Sequence, residues 1–276
     1  MLPRWFAVVV LGFASLGCTP GADTPSSQVS SGYNGISCDV DYNSLQTANL
    51  QGITINDQGI GASEKRRHLN ELNAMPRAYL DVMRGTISVN LTAGSITEFS
   101  SYAHLRGVTP RGWEGSGKTW DDIPGAGSTG ALYLGDSFRP QDAASLAVHE
   151  ATHSVDFARS LRGSAPLRAA YDAERSTPHP SDRASTYRLS YPEEYLAMAV
   201  DEYYCNATTR AGLQRMYPRA FQFVERDLTA LLTGGTVTPD TTEEGTQGCS
   251  ACEGGRRYCG RYTATRWLSG AWESCQ

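Results

Sequence analysis

The alternation of apolar and polar residues predicts strands in the first half of the chain and helices in the second half. Residues 86–92 (TISVNLT) alternate and are β-branched, which is typical of a strand, and residues 130–135 (GALYLG) form a second strand candidate between glycines. Residues 62–85 place Leu and Met at roughly helical spacing. Helical patterns then cover residues 141–162, 192–208 and 210–232. Strands followed by helices predict an α+β domain.

The N-terminus has the layout of an export signal. Residues 1–17 contain a basic start at Arg4, an apolar stretch and a small-residue end, which predicts a secretory signal peptide. The LGC ending at Cys18 is similar to the bacterial lipoprotein signal, in which this cysteine is lipidated, although Ser15 stands where leucine is usual. Two locations stay open: a bacterial envelope lipoprotein at the outer membrane, or a secreted protein.

Composition divides the remaining chain into four segments. Residues 18–35 are rich in Ser, Pro and Gly and predict a flexible tether. Residues 36–232 carry the strand and helix patterns and predict the folded domain. Residues 233–247 have the low hydrophobicity of a linker, and residues 248–276 form a Cys-rich module too small for its own apolar core.

The cysteines agree with export. Setting Cys18 aside leaves an even number, which in an exported protein indicates up to three disulfides with undetermined pairing. Free thiols, or a zinc ribbon in the tail, are the alternatives. The six residues are Cys38, Cys205, Cys249, Cys252, Cys259 and Cys275.

Composition, charge and hydropathy argue against a disordered chain, a nucleic-acid-binding protein and a membrane-spanning one. A hydrophobic content of 40% with 19% charged residues is typical of a globular protein. The net charge of −5 and the lack of a basic stripe give no reason to expect nucleic acid as a partner. After the N-terminus, no run of about 18 apolar residues predicts a transmembrane helix, so a lipid would be the only membrane attachment.

The stretch LAVHEATHSVDF, residues 146–157, carries the candidate chemistry. On a helix, His149 and His153 project from the same face one turn apart, with Glu150 beside them. This His-Glu-x-x-His pattern is the zincin signature, in which two imidazoles bind zinc and the glutamate is the general base. A surface helix with two chance histidines is the alternative, but the chain has only five histidines.

A catalytic zinc ion takes three protein ligands and keeps one position open, so the third ligand decides the class. Metzincins continue the motif with a glycine and a histidine, but Asp156 and Arg159 occupy those positions here. The candidates left are a downstream carboxylate or His179.

The best carboxylate is Glu194. Pro192 suits the first turn of a helix, and Ser190 and Glu193 have capping-box spacing, so a helix is expected to begin here. Glu194 would then emerge from the face that packs against neighbours, where an unpaired charge is costly and a metal would satisfy it. Alternatively, Glu193 and Glu194 only complement the helix dipole.

Three elements of the sequence resemble those of a known family. The His-Glu-x-x-His motif, the segment EEYLAMAV around Glu194, and Tyr187 seven residues before that glutamate resemble the catalytic domain of anthrax toxin lethal factor and the Pro-Pro endopeptidases. The resemblance runs from about residue 60 to 230. It implies a zincin-like fold of the gluzincin type, with a small mixed sheet, an active-site helix and a helical C-terminal half, followed here by the Cys-rich tail.

The resemblance also implies roles for individual residues. His149, His153 and Glu194 would bind one catalytic Zn²⁺. Glu150 would be the general base and acid. In the lethal factor pattern another acidic residue follows the glutamate ligand by four positions, but Met198 stands here. Support for a ligand would have to come from elsewhere, and the candidates are Asp156 and Asp201.

Substrate contacts follow from the same resemblance. Tyr187 would donate its phenol to the oxyanion, with Tyr191 and Tyr195 as alternatives. The strand in GALYLG would be the edge strand that pairs with an extended substrate. Its residues are Ala131, Leu132, Tyr133 and Leu134.

Together these features predict an exported zinc metalloendopeptidase that acts as a monomer on a protein or peptide substrate. The alternative is a non-catalytic envelope lipoprotein that keeps the zincin scaffold as a binding module. The cleavage motif is not readable from the sequence, and no residue demands a Pro-Pro preference.

Overall fold

A computed structural model describes residues 37–110, 115–135, 143–237, 246–249, 256–262 and 267–274. The predicted signal peptide, the lipidation site Cys18 and the predicted tether lie outside the described residues. The predicted domain boundaries therefore stay predictions. None of the helices in the described part of the chain combines the length and the apolar character that a membrane span requires.

The central sheet has four strands. They are β1 (Ile55–Gln58), β2 (Ser88–Thr92), β3 (Gly125–Ser128) and β4 (Ala131–Leu134), in the order β1-β2-β4-β3. Strands β1, β2 and β4 run parallel to one another, and β3 pairs antiparallel with β4. The sheet is therefore small and mixed, and β3 lies at one of its edges.

The predicted strands in residues 86–92 and 130–135 are confirmed, but the edge position assigned to 131–134 is wrong. Leu132 pairs with Val89 on one side and with Gly127 on the other, so β4 lies inside the sheet. Its leucines, Leu132 and Leu134, are fully buried, as expected for a strand covered by neighbours. The edge is formed by GAGS, a segment without the alternating side chains that indicate a strand.

Helices make up most of the rest of the described chain. The predicted helix over residues 62–85 is divided, because Pro76 has an extended backbone and serves as the N-cap of a second helix. The helices are α1 (Ala62–Asn73), α2 (Arg77–Met83), α3 (Leu146–Arg159), α4 (Ala165–Glu174), α5 (Ser185–Arg188), α6 (Pro192–Cys205), α7 (Ala207–Met216), α8 (Pro218–Gln222) and α9 (Leu228–Leu232). A π-helical turn, Phe223–Asp227, joins the last two.

Helix α3 lies at the centre of the domain, where it contacts α1, α6 and the edge strand β3. Ser145 caps its N-terminus by accepting a hydrogen bond from Val148 N at 3.2 Å. The same hydroxyl donates to Glu71 Oε2 of α1 at 2.7 Å. The helix ends where Ser160 adopts the left-handed conformation, with φ 56°. These two boundaries make α3 shorter than the predicted span of 141–162.

The tail contains three strands, β5 (Thr246–Cys249), β6 (Arg256–Tyr262) and β7 (Trp267–Ser274), which form an antiparallel sheet in that order. Cys259 is disulfide-bonded. That residues 248–276 form a separate module stapled by disulfides stays a prediction.

One disulfide closes the domain. Cys38 is bonded to Cys205, so the N-terminal segment is fixed to the last residue of α6. Asp39 N donates to Cys205 O at 2.6 Å, and Asn206 Nδ2 donates to Ser37 O at 2.8 Å, which extends the attachment on both sides. The bond closes a loop of 167 residues.

Removal of this bond is expected to destabilise the domain. Because the bond restricts the unfolded chain over a long loop, the double variant Cys38→Ala/Cys205→Ala should lose about 2–4 kcal/mol of unfolding free energy. Guanidinium denaturation of both proteins without reductant measures the loss, and reduced wild type is the matched control. Equal denaturation midpoints for the oxidised wild type and the double variant would contradict the prediction.

Candidate active site and metal centre

Three polar side chains of α3 lie inside the protein. His149, Glu150 and His153 are 2%, 4% and 3% exposed. The opposite face of the helix carries apolar residues in the main core, including Ala151 and Val155. Burial of three polar groups in one and a half turns is costly unless each finds a partner. Their partners come from α6, from the segment before it, and from β3.

The imidazoles of α3 and a carboxylate of α6 converge on one point. The Nε2 atoms of His149 and His153 are 3.3 Å apart. Oε2 of Glu194 lies 3.3 Å from the first and 3.4 Å from the second. This buried oxygen has no well-aligned hydrogen bond with any described residue. Three atoms that can each donate a lone pair to a metal ion therefore lie at the corners of one triangle.

This triangle has the dimensions of a zinc site. Ligand atoms about 2.0–2.1 Å from a tetrahedral zinc ion are about 3.3–3.4 Å apart, which matches the three distances given above. Two imidazoles and one carboxylate are a ligand set that catalytic zinc sites use. Within the described residues, His149, His153 and Glu194 are the group able to hold a metal ion. The cluster is compatible with zinc, and His179 lies elsewhere, where its Nδ1 accepts from Ser181 N at 3.2 Å.

Electrostatics at the cluster favour a cation. Burial raises the pKa of Glu194, but the imidazoles of His153 and His149 lower it well below its ordinary value. Burial lowers the pKa of His149, whereas contacts with Asp201 and Glu194 raise it to about 10. The same carboxylates would stabilise a metal ion at this point, which would have to displace the proton from His149.

Glu194 reaches this point because α6 begins two residues before it. Pro192 occupies the first turn, where its missing N–H is not needed, as predicted. The predicted capping box is wrong, because Tyr191 is the N-cap and Ser190 Oγ instead donates to Tyr187 O at 2.6 Å. Sequence spacing alone does not show which serine faces the helix end.

Asp201, one of two predicted supporting carboxylates, lies beside a histidine. It is fully buried, and its Oδ2 is 3.4 Å from Nδ1 of His149. The contact is on the ring nitrogen that faces away from the cluster, where a carboxylate orients an imidazole ligand.

Asp156, the other predicted supporting carboxylate, does not contact a ligand, and this prediction is corrected. Its Oδ1 accepts from Arg162 N at 2.6 Å, and its Oδ2 accepts from the Arg162 guanidinium. The chain turns back at Ser160, and this turn brings Arg162 over the last turn of α3. Asp156 therefore fixes the end of the helix.

Glu150 is held by the edge strand. Its Oε2 accepts a hydrogen bond from Gly127 N at 2.9 Å, and burial raises its pKa. A raised pKa makes a carboxylate a stronger base near neutral pH, as general-base catalysis requires.

Two glycines of β3 were missed by the sequence reasoning. A Cβ atom at Gly127 would lie 2.2 Å from Glu150 O and 2.5 Å from His153 Cβ, and one at Gly125 would lie 2.8 Å from Glu150 Cγ. Only glycine allows the strand to lie this close to α3. The signal in the sequence was the pair of glycines two residues apart, which place both missing side chains on one face.

Tyr187 completes the cluster. Its hydroxyl lies 3.1 Å from Nε2 of His149, and the residue is buried. Burial, together with the charges of Glu194 and Glu150, raises the pKa of Tyr187 well above its ordinary value, so the phenol keeps its proton. The alternatives are placed elsewhere: Tyr191 is exposed, and Tyr195 donates to Glu174.

The chain matches known proteins over the part that carries this site. Residues 43–227 match the family model described as anthrax toxin lethal factor, N- and C-terminal domain. This chain belongs to that family. A Pro-Pro endopeptidase from Clostridioides difficile (strain 630) is 34% identical over 170 residues, which cover 59% of this chain and 75% of the relative. A Pro-Pro endopeptidase from Paenibacillus alvei is 32% identical over 170 residues, covering 59% and 77%.

A solved structure agrees with the family. The structure of a Pro-Pro endopeptidase from Paenibacillus alvei superposes with a TM-score of 0.56 at 27% identity, covering 65% of this chain and 99% of that one. This similarity confirms the predicted α+β fold, with a small sheet and a helical C-terminal half, for the part of this chain that matches the family. Family membership and these relatives make the chain a peptidase.

The contact between β3 and α3 can be tested with one methyl group. Gly127→Ala is expected to lower the unfolding free energy by about 1–3 kcal/mol, because the methyl overpacks against the α3 backbone. Gly163→Ala is the matched control, since nothing lies within 4 Å of a Cβ there. Thermal denaturation compares the two variants, and an unchanged melting temperature for Gly127→Ala would contradict the close packing.

Proposed function

We propose that this protein is an exported zinc-dependent endopeptidase. The observation that carries the proposal is the convergence of His149, His153 and Glu194. The Tyr187 hydroxyl contacts His149, and Glu150 lies near enough to both imidazoles for their charges to act on its pKa. The first three residues would hold the ion. Bound zinc lowers the pKa of water to about 7 and polarises a carbonyl.

The protein's own groups would do the proton transfers. Glu150 is positioned by Gly127 N and has a raised pKa, so it is suited to accept a proton from the attacking water and to return it to the leaving amine. Tyr187 stays protonated and donates a hydrogen bond to the oxyanion that forms when water attacks. Asp201 orients His149 through Nδ1.

The substrate would bind at the free edge of β3. Among the described strands β3 pairs with β4 alone, so those backbone groups on its other side that are not bonded to α3 would remain for an extended peptide. Because Gly127 N is already bonded to Glu150, the substrate backbone would be placed next to the general base. The relatives are endopeptidases named for Pro-Pro sequences, so a Pro-Pro bond is the first substrate to test.

The disulfide between Cys38 and Cys205 supports export, because such bonds persist in oxidising compartments. We include in the proposal the predicted signal peptide and lipid attachment at Cys18. The physiological substrate would then be an extracellular or envelope protein.

Substitution of the general base tests catalysis. Glu150→Gln should reduce kcat by about 10²–10⁴-fold while zinc stays bound, because the amide cannot accept the proton. Profiling with a proteome-derived peptide library, supplemented with Pro-Pro peptides, measures cleavage, and zinc content is measured in parallel. A wild type that binds zinc but cleaves no more peptide than Glu150→Gln would contradict the proposal and favour a binding module.

Zinc affinity tests the ligand set. Asp201→Asn should weaken zinc binding by about 10–100-fold, and Glu194→Gln should weaken it further, because it removes a ligand. Asp156→Asn and His179→Gln are the matched controls and should retain affinity. Competition with a chromophoric chelator ranks the variants. Loss of affinity in His179→Gln, with none in Glu194→Gln, would overturn the proposed site.

A further inference from the structure

Arg188, the residue after Tyr187, is buried in the domain. It is 1% exposed. A guanidinium ion taken out of water costs several kcal/mol unless its charge and donors are matched. Neither the metal cluster nor the proton transfers proposed above use this cation. Its partners therefore have to explain why it lies next to the active-site tyrosine.

The partners of Arg188 come from three different segments. Nε lies 3.0 Å from Asp182 Oδ2, in the loop before α5, and Nη2 lies 2.6 Å from Glu202 Oε1, on α6. The guanidinium carbon is 4.7 Å from the centre of the Tyr217 ring, which stacks on it. Two carboxylates and a ring in fixed directions match a planar guanidinium, and a lysine ammonium cannot satisfy all of them at once.

Helix α5 depends on these contacts. It has only four residues, and a helix of one turn does not hold itself together in water. The Asp182 carboxylate stabilises the turn twice, since Oδ1 accepts from Ala184 N at 2.9 Å and Oδ2 accepts from Arg188 Nε. The ion pair thus fixes the rotation of the turn that directs the Tyr187 side chain towards His149.

The other partner of Arg188 belongs to the region that supports the metal cluster. Glu202 follows Asp201 on α6, and Asp201 lies 3.4 Å from Nδ1 of His149. One cation therefore joins the turn that carries the phenol donor to the helical turn that carries the histidine's partner.

We propose that Arg188 is a positioning residue, which fixes the hydroxyl of Tyr187 beside His149 through its ion pairs with Asp182 and Glu202. The inference rests on the proposed role of Tyr187 as oxyanion donor. A positioning role differs from a general contribution to stability. If Arg188 acts by positioning, its loss should lower kcat only when the Tyr187 hydroxyl is present.

A double-mutant cycle tests this dependence. Arg188→Met should lower kcat by about 100-fold with KM little changed, because a small displacement of a catalytic group costs this much. In a Tyr187→Phe background the same substitution should have almost no further effect on kcat. The substrate is the best-cleaved peptide of the library. Arg67→Met is the matched control, because Arg67 is also buried and paired, with Glu64 on α1.

The cycle separates the two hypotheses. Equal losses of kcat for Arg188→Met in both backgrounds would overturn the positioning role and leave the role of Tyr187 intact. A fully active Tyr187→Phe variant would overturn the role of Tyr187 and, with it, the inference. Arg67→Met should lower the melting temperature and show additive effects with Tyr187→Phe.

Amide hydrogen exchange tests whether Arg188 stabilises the turn that carries Tyr187 and does not require enzymatic activity. In Arg188→Met, the amides of residues 185–190 should exchange faster than they do in the wild type or in Arg67→Met. If Arg188→Met does not fold, the milder variant Asp182→Asn should show the same increase. A folded variant with wild-type protection in this segment would contradict the proposal.

Discussion

The structure depends on three buried lone-pair donors being kept within 3.4 Å of one another. His149 and His153 come from α3 and Glu194 from α6, and Oε2 of the glutamate has no aligned hydrogen bond with any described residue. Burial of these groups is costly unless a proton or a metal ion lies among their atoms. The rest of the domain has to hold the two helices in this arrangement. The N-cap of α3, the ion pair at its end and the close approach of β3 all contribute to this.

Each side of the cluster is fixed by a different kind of contact. At the sheet, glycines let the backbone of β3 approach α3, so that the peptide N–H of Gly127 holds Glu150, the proposed general base. A buried cation, Arg188, holds the turn that carries the phenol of Tyr187. Asp201 holds the ring of His149 from behind. Glu150, Tyr187 and His149 are thus each held by a different contact, and Arg188 links the turn that carries Tyr187 to the helical turn that carries Asp201.

The sequence predicted those parts that are set by local spacing. Histidines four residues apart on a helix, and Pro192 in the first turn of α6, are local signals, and both were confirmed. The edge strand was missed because its glycines carry no alternating pattern, so the neighbouring ALYL was given its place. Asp156 and Asp201 looked equivalent in sequence. In the structure, the left-handed turn after α3 brings Arg162 to Asp156, whereas Asp201 lies beside Nδ1 of His149. Contacts between segments distant in sequence, such as those of Arg188, have no local signal.

Zinc binding by His149, His153 and Glu194 can be tested by X-ray absorption at the zinc edge. The measurement uses the full-length protein loaded with one equivalent of zinc. Coordination by two imidazoles and a carboxylate predicts nitrogen and oxygen scatterers about 2.0–2.1 Å from the ion, with the outer-shell pattern of two imidazoles. A first shell dominated by sulfur at about 2.3 Å would place the zinc at cysteines. That result would rule out the proposed zinc site, because the ion would then lie outside the cluster of His149, His153 and Glu194.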